Sequence, residues 1–180
     1  MHIAAFVSRR LLPYVSAVET ASVKTGFNGT VTNKGSSAIA FTLGSTSYLF
    51  CSAHLEAHTH NVAARNDGWK RIELELCKKL RQCRGQPTAT MASQCFDRVV
   101  FMGDLNYRVA EDYKVVCEAI ARDDMACLLR LDQLHQVMCN PDCNTAIARC
   151  NDRHTAGDGE QQRLHWLFGA AYYFPPHVQV

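Results

Sequence analysis

The sequence predicts an α/β domain, and three stretches carry that expectation. Val99-Val100-Phe101-Met102 is an apolar run long enough for a buried strand and too short for a core helix. Ile39, Phe41 and Leu43 alternate with Ala38, Ala40 and Thr42, and Thr46–Ser52 returns after Gly44-Ser45 as the partner of a hairpin. Val62, Trp69, Ile72, Leu76 and Leu80 recur at helical spacing, while Lys70, Arg71, Glu73, Glu75, Lys78 and Lys79 cover the other faces.

The remaining elements follow in chain order. His2–Val7 reads as a strand, and Ser8 caps a helical turn through Leu12, with Pro13 inside its first turn. Ser22–Thr25 is a second extended piece. Gly26–Gly35 is a loop with three glycines, two asparagines and Lys34; its backbone amides can approach an anion closely. The alternative is a flexible hairpin loop with a solvated lysine. The long helix is capped by Thr59 or Asn61, and Gly68 within it costs about 1 kcal/mol against alanine. Residues 84–95 read as a linker. Glu111–Ala121 is a helix. Asp123 or Asp124 caps another, with Leu128, Leu131, Leu134 and Met138 on its apolar face. Residues 139–162 lose periodicity and read as a surface insertion within a single domain spanning 1–180. The aromatic end, Trp166 to Pro176, is expected to pack on the core.

Composition narrows the function classes. The 180 residues suffice for one domain with a real core, and 47% hydrophobic with 20% charged residues is ordinary for a globular protein. A net charge of +2 and a pI near 8.1 give no argument for nucleic acid. No apolar run approaches membrane-spanning length, and the N-terminus lacks a signal-peptide core. Nine cysteines, an odd number without a secretion signal, fit free thiols in a reducing compartment. The expected location is the cytoplasm, with peripheral attachment to a membrane surface left open. A separate reading concerns Cys139, Cys143, Cys150 and His154, four zinc-type ligands whose spacing is looser than the usual paired pattern.

The chemistry concentrates after the apolar run, at Gly103-Asp104-Leu105-Asn106. If the chain stays extended there, Asp104 and Asn106 point to one face. A carboxylate that orients a water, beside an amide that donates to a phosphoryl oxygen, suits phosphate hydrolysis. The alternative is an Asx-turn that ends a strand. His54, at the end of the second hairpin strand, could also donate to a phosphoryl oxygen, or be structural.

Gly103–Arg108 resembles the GDLNYR signature of the inositol polyphosphate 5-phosphatases, of the endonuclease/exonuclease/phosphatase superfamily. Successive segments resemble that family in order. They are Leu11–Val15, Thr25-Gly26 with Asn33-Lys34-Gly35, Ala53–His58, Arg65-Asn66 with Trp69, and Leu131–Leu134. The resemblance implies a partial DNase I-like four-layer α/β/β/α sandwich. It implies that His54 contacts the scissile phosphate, that Asp104 orients or activates water, and that Asn106 donates to the phosphoryl oxygen. Lys34 and Asn33 would lie near the substrate, with Arg65, Asn66, Tyr107 and Arg108 as supporting residues. It implies magnesium as cofactor and a phosphoinositide or soluble inositol polyphosphate as substrate, with no nucleic acid.

Departures from the family pattern bear on activity. Thr32, Ser36, Ser52 and Gly68 replace family residues. Glu19 lies in a segment unlike the family's magnesium-binding glutamate motif, so the metal ligand set is unassigned. His177-Val178-Gln179 stands where the family carries a lysine that reads the 4-phosphate, and the terminal SDH segment has no counterpart. The expectation is a chain incomplete at both ends and inactive alone. A truncated homologue that binds phosphoinositides or a protein without turnover, and a nuclease of the same superfamily, are the alternatives.

Overall fold

The structure is a computed structural model that describes residues 1–26 and 33–139. The aromatic end, most of the 139–162 insertion, and Cys143, Cys150 and His154 lie outside the described residues.

Four strands form one sheet in the order β1 (Val15–Lys24), β2 (Gly35–Leu43), β3 (Thr46–His54) and β4 (Arg98–Asp104). The first three are antiparallel neighbours; β3 and β4 are parallel, in a register that pairs His54 with Asp104. A parallel pair cannot be closed by a tight turn. The crossover carries α1 (Val62–Lys79), α2 (Arg81–Arg84) and a 3-10 turn, Ala92–Cys95. After β4 come α3 (Tyr113–Ala121), α4 (Met125–Leu131) and α5 (Gln133–Cys139).

The pleat sorts the strand residues by face. Ala38, Ala40, Leu49, Cys51, Ala53, Val99 and Phe101 are buried in one cluster with Trp69, Ile72 and Leu76 of α1. Burying each of these three helix side chains is worth roughly 1.5–3 kcal/mol. On the opposite face Phe41, Tyr48 and Phe50 stack, with centroids 5.5 to 6.2 Å apart, and remain half-buried. The described residues thus supply one sheet and its outer helices. At the sheet's far end Ser47 N and Oγ both donate to Asp97 Oδ2 at 2.8 Å, tying the starts of β3 and β4 together.

Several expectations are corrected. Residues 2–7 form no strand; Phe6 is 96% exposed, so an apolar run without a neighbour to pair with stays irregular. The extended piece at 22–25 belongs to the longer β1, whose Ser16, Ala17, Glu19 and Thr20 gave no apolar alternation. A bulge between Ser16 and Glu19 re-aims that strand. Residues 84–95 are not a plain linker, because Ala92, Ser93 and Cys95 are buried against the helix. The segment 123–138 is two helices. Asp132 is extended and bridges Val109, while Ala110 N donates to Leu131 O at 2.8 Å and Gln133 N to Arg108 O at 2.9 Å.

Gly103 has φ +115°, and a Cβ there would sit 2.3 Å from the Ala53 carbonyl oxygen on β3. Gly103→Ala is therefore expected to lower stability by about 1–3 kcal/mol, read as a lower urea midpoint with an unchanged m-value. An unchanged midpoint would show that the two strands can separate there without cost.

Candidate functional site at the strand ends

The site is built from the carboxyl ends of β3 and β4 and from the loop that enters β2. Gly35 pairs with His54 across the β2–β3 ladder, so Lys34 arrives beside that histidine. Gly35 has φ +143°, and a Cβ would lie 2.0 Å from Val23 O; glycine is what lets the loop close here. Lys34 is buried, 8% exposed, and its Nζ donates to His54 Nε2 at 2.7 Å. Lysine offers only donors, so Nε2 is the acceptor of this bond. Asp104 Oδ2 lies 3.4 Å from the same Nε2. No carboxylate approaches Lys34 within ion-pair distance among the described residues.

Asp104 and Asn106 are close, but not as an extended pair. β4 ends at Asp104, and Asn106 has φ +58°, a left-handed conformation that asparagine tolerates. The backbone N of Asn106 donates to Asp104 Oδ1 at 3.2 Å, so the Asx-turn is present. The other carboxylate oxygen still faces His54. The Asn106 side-chain amide donates to Leu55 O at 3.0 Å and its oxygen accepts from Arg108 Nη2 at 2.8 Å. One N–H of that amide therefore holds the loop after β3.

The four supporting residues form a scaffold beneath these groups. Arg65, fully buried on α1, donates to the carbonyl oxygens of Glu56 (3.1 Å), His58 (2.7 Å) and Thr59 (3.3 Å), and to Gln133 Oε1 at 2.7 Å. It clamps the chain just past His54. Its guanidinium also sits 5.0 Å over the Tyr107 ring, whose hydroxyl donates to Asn66 Oδ1 at 2.5 Å. Gln133 completes the frame: its Oε1 also accepts from Arg108 N at 3.1 Å, and its Nε2 donates to Thr59 O at 2.8 Å. The sequence marked Gln133 only as part of a family segment, because the helix break after Asp132 that exposes its role appears only in the structure.

A cleft of about 630 Å³ adjoins the site, lined among others by Asn33, Lys34, Glu56, Asp67 and Arg71. Asn33 is exposed at its rim. Glu19 lies elsewhere: its Oε2 accepts from Arg81 N at 2.8 Å, five residues up β1 from Lys24.

The profile of the Endonuclease/Exonuclease/phosphatase family 2 matches residues 1–147, and the chain belongs to that family. Its relatives within it are inositol 5-phosphatases. Human phosphatidylinositol 3,4,5-trisphosphate 5-phosphatase 2 is 35% identical over 121 residues, 67% of this chain and 9% of that protein. Human synaptojanin-2 is 35% identical over 131 residues, 72% of this chain and 8% of that protein. Among solved structures, the chain is similar to the inositol polyphosphate 5-phosphatase domain of SPsynaptojanin in complex with inositol (1,4)-bisphosphate and calcium ion. The TM-score is 0.60 at 31% identity, covering 72% of this chain and 34% of that one. That neighbour has the DNase I-like fold, as the sequence predicts. The chain spans about a tenth of these curated relatives and about a third of the solved domain.

The Arg65–Gln133 pair gives a direct test of the scaffold. Arg65→Lys and Gln133→Ala should each cost at least about 1.5 kcal/mol, because each breaks the buried Arg65–Gln133 bond and leaves the charged or polar partner unpaired. The double variant should cost less than the sum, since the two side chains bond to each other and share Thr59 O. Additive losses in urea denaturation would show two independent contacts.

Proposed function

We propose that this chain carries the phosphate-binding side of an inositol polyphosphate 5-phosphatase site. The substrate is a phosphoinositide or soluble inositol polyphosphate, and the reaction is hydrolysis of a phosphate monoester. The observation that carries this reading is Lys34: a buried ammonium hydrogen-bonded to the His54 ring and, among the described residues, within ion-pair distance of no acid. A buried cation without a carboxylate partner is costly until an anion arrives. A phosphate oxygen placed between Lys34 and His54 would take the lysine's hydrogen bond. His54 Nε2 would face the same oxygen, with Asp104 Oδ2 3.4 Å from that nitrogen. Asp104 is the group suited to orient water, and Asn106 keeps one amide N–H for a phosphoryl oxygen. The family relatives and the inositol bisphosphate of the solved neighbour support this substrate class. The same relatives weigh against the nuclease reading. A cytoplasmic location, at membrane surfaces for lipid substrates, follows from that substrate class as part of the proposal.

The solved neighbour holds calcium, and magnesium is the cofactor expected from the sequence. The described residues do not fit such an ion. Magnesium is usually held by one or two carboxylates in octahedral geometry. Here Asp104 is the carboxylate at the strand ends, and the Lys34 ammonium shares its imidazole neighbour. Glu56 and Asp67 face the adjoining cleft, in company with Lys34 and Arg71. That donor set favours a second reading, a phosphoinositide-binding chain without turnover.

Two measurements test these readings. Calorimetric titration with inositol (1,4)-bisphosphate should show saturable binding that Lys34→Met or His54→Ala weakens by at least about tenfold, the scale of one charge-assisted contact. Binding unchanged in both variants would remove these residues from the site. In phosphate-release assays on inositol trisphosphate, the 180-residue chain should stay at the blank rate with or without magnesium. Magnesium-dependent turnover abolished by Asp104→Ala would show that the internal carboxylates do assemble a metal site. In a longer form that turns over, Asp104→Ala, Asn106→Ala and His54→Ala should each slow release by about two orders of magnitude.

A further inference from the structure

Away from the strand ends, the crossover brings three thiols together. Cys77 lies near the C-terminal end of α1, Cys83 on α2 and Cys95 on the 3-10 turn before β4. All three are buried, and their sulfur atoms lie within 4.8 Å of one another. In sequence the pattern is Cys77-x5-Cys83-x11-Cys95, with Gly85 and Pro87 in the longer gap. A structural zinc site holds sulfur at about 2.3 Å from the ion, so tetrahedrally placed thiolates sit about 3.8 Å apart. A contraction of an ångström or less would bring these three into coordination.

We infer that Cys77, Cys83 and Cys95 form a binding site for one thiophilic d10 cation, zinc(II) or copper(I). Soft thiolate ligands select these ions. Binding breaks S–H bonds, forms S–metal bonds and releases the thiol protons to the buffer. It forgoes two weak contacts, from Cys77 Sγ to Ala89 O and from Cys95 Sγ to Met91 O, both at 3.6 Å. Burial raises the Cys83 and Cys95 thiols above their ordinary range. Backbone around the third ligand is already fixed. Gln82 Nε2 donates to Cys95 O at 2.6 Å, and Ser93 N donates to the buried Glu73 carboxylate at 2.9 Å. Such outer contacts orient metal ligands. The ion would pin α1, α2 and the turn into one unit at the point where the chain enters β4, the strand that carries Asp104. Because the unfolded chain holds the three sulfurs apart, affinity for the ion becomes stability of the crossover.

The test uses the full chain carrying Cys139→Ser, Cys143→Ser, Cys150→Ser and His154→Ala, so that the other candidate ligands are silent. Reduced, metal-free protein is titrated with zinc(II) against a chromophoric competitor, and anaerobically with copper(I) in a second arm; the tighter ion identifies the site's metal. One equivalent should bind, and thermal unfolding should shift upward on binding. Cys77→Ser, Cys83→Ser and Cys95→Ser should each weaken binding by at least about tenfold, while Cys51→Ser, buried in the sheet, leaves it unchanged. Cadmium titration of the unsubstituted trio gives a readout independent of variant folding: its sulfur-to-metal charge-transfer band should correspond to three thiolates. No metal bound at excess ion, or undiminished binding after all three cysteines are replaced, would overturn the site.

Discussion

Everything at the proposed phosphate site depends on the parallel pairing of β3 with β4. The register sets His54 opposite Asp104, and Leu55 N donates to Asp104 O at 3.0 Å, carrying the pairing one residue further. Two short strands with different neighbours in sequence thereby place an imidazole and a carboxylate within 3.4 Å. The antiparallel partner β2 then delivers Lys34 to the same end. In open α/β sheets ligands bind outside the carboxyl ends of parallel strands, and this arrangement follows that rule with one parallel pair.

The crossover that makes the pairing possible also stiffens its product. Arg65 emerges from α1 beneath the chain that leaves β3 and gathers three of its carbonyl oxygens. Gln133, from the far end of the described chain, locks the guanidinium from the other side. Arg108 holds Asn106, and Asn106 holds Leu55. These contacts bind residues 55–59, 65, 106–108 and 133 into one frame. The three reacting-group candidates are thus supported by a network of polar bonds rather than by loop packing, the arrangement that positional catalysis requires.

Much of this was legible in the sequence, for physical reasons that can be named. The hairpin, α1 and β4 have strong periodicity and correspond to elements of the structure. His54, Asp104 and Lys34 were marked by the chemistry of their neighbours and by the family resemblance, and the fold brings these three together. What was not legible was long-range. β1 lacks apolar alternation because only Val23 is buried in it. The strand expected at 2–7 has the right residues and no partner. The break at Asp132 arises from pairing with Val109, which no local pattern announces. The positive φ at Asn106 overturned the extended reading of Asp104-Leu105-Asn106 while keeping the two residues linked. The thiol trio was invisible because its members are 6 and 12 residues apart and converge only when the crossover folds.

The central claim is that the end of β3 and β4 holds an anion through Lys34 and His54. Its most direct measurement is the nuclear magnetic resonance of the His54 imidazole nitrogens and the Lys34 ammonium during titration with inositol (1,4)-bisphosphate. The account predicts saturable shifts at both residues with one shared affinity, and no change at Glu19 and Arg81. Shifts absent from His54 and Lys34, or centred on the Glu19–Arg81 end of the sheet, would contradict it.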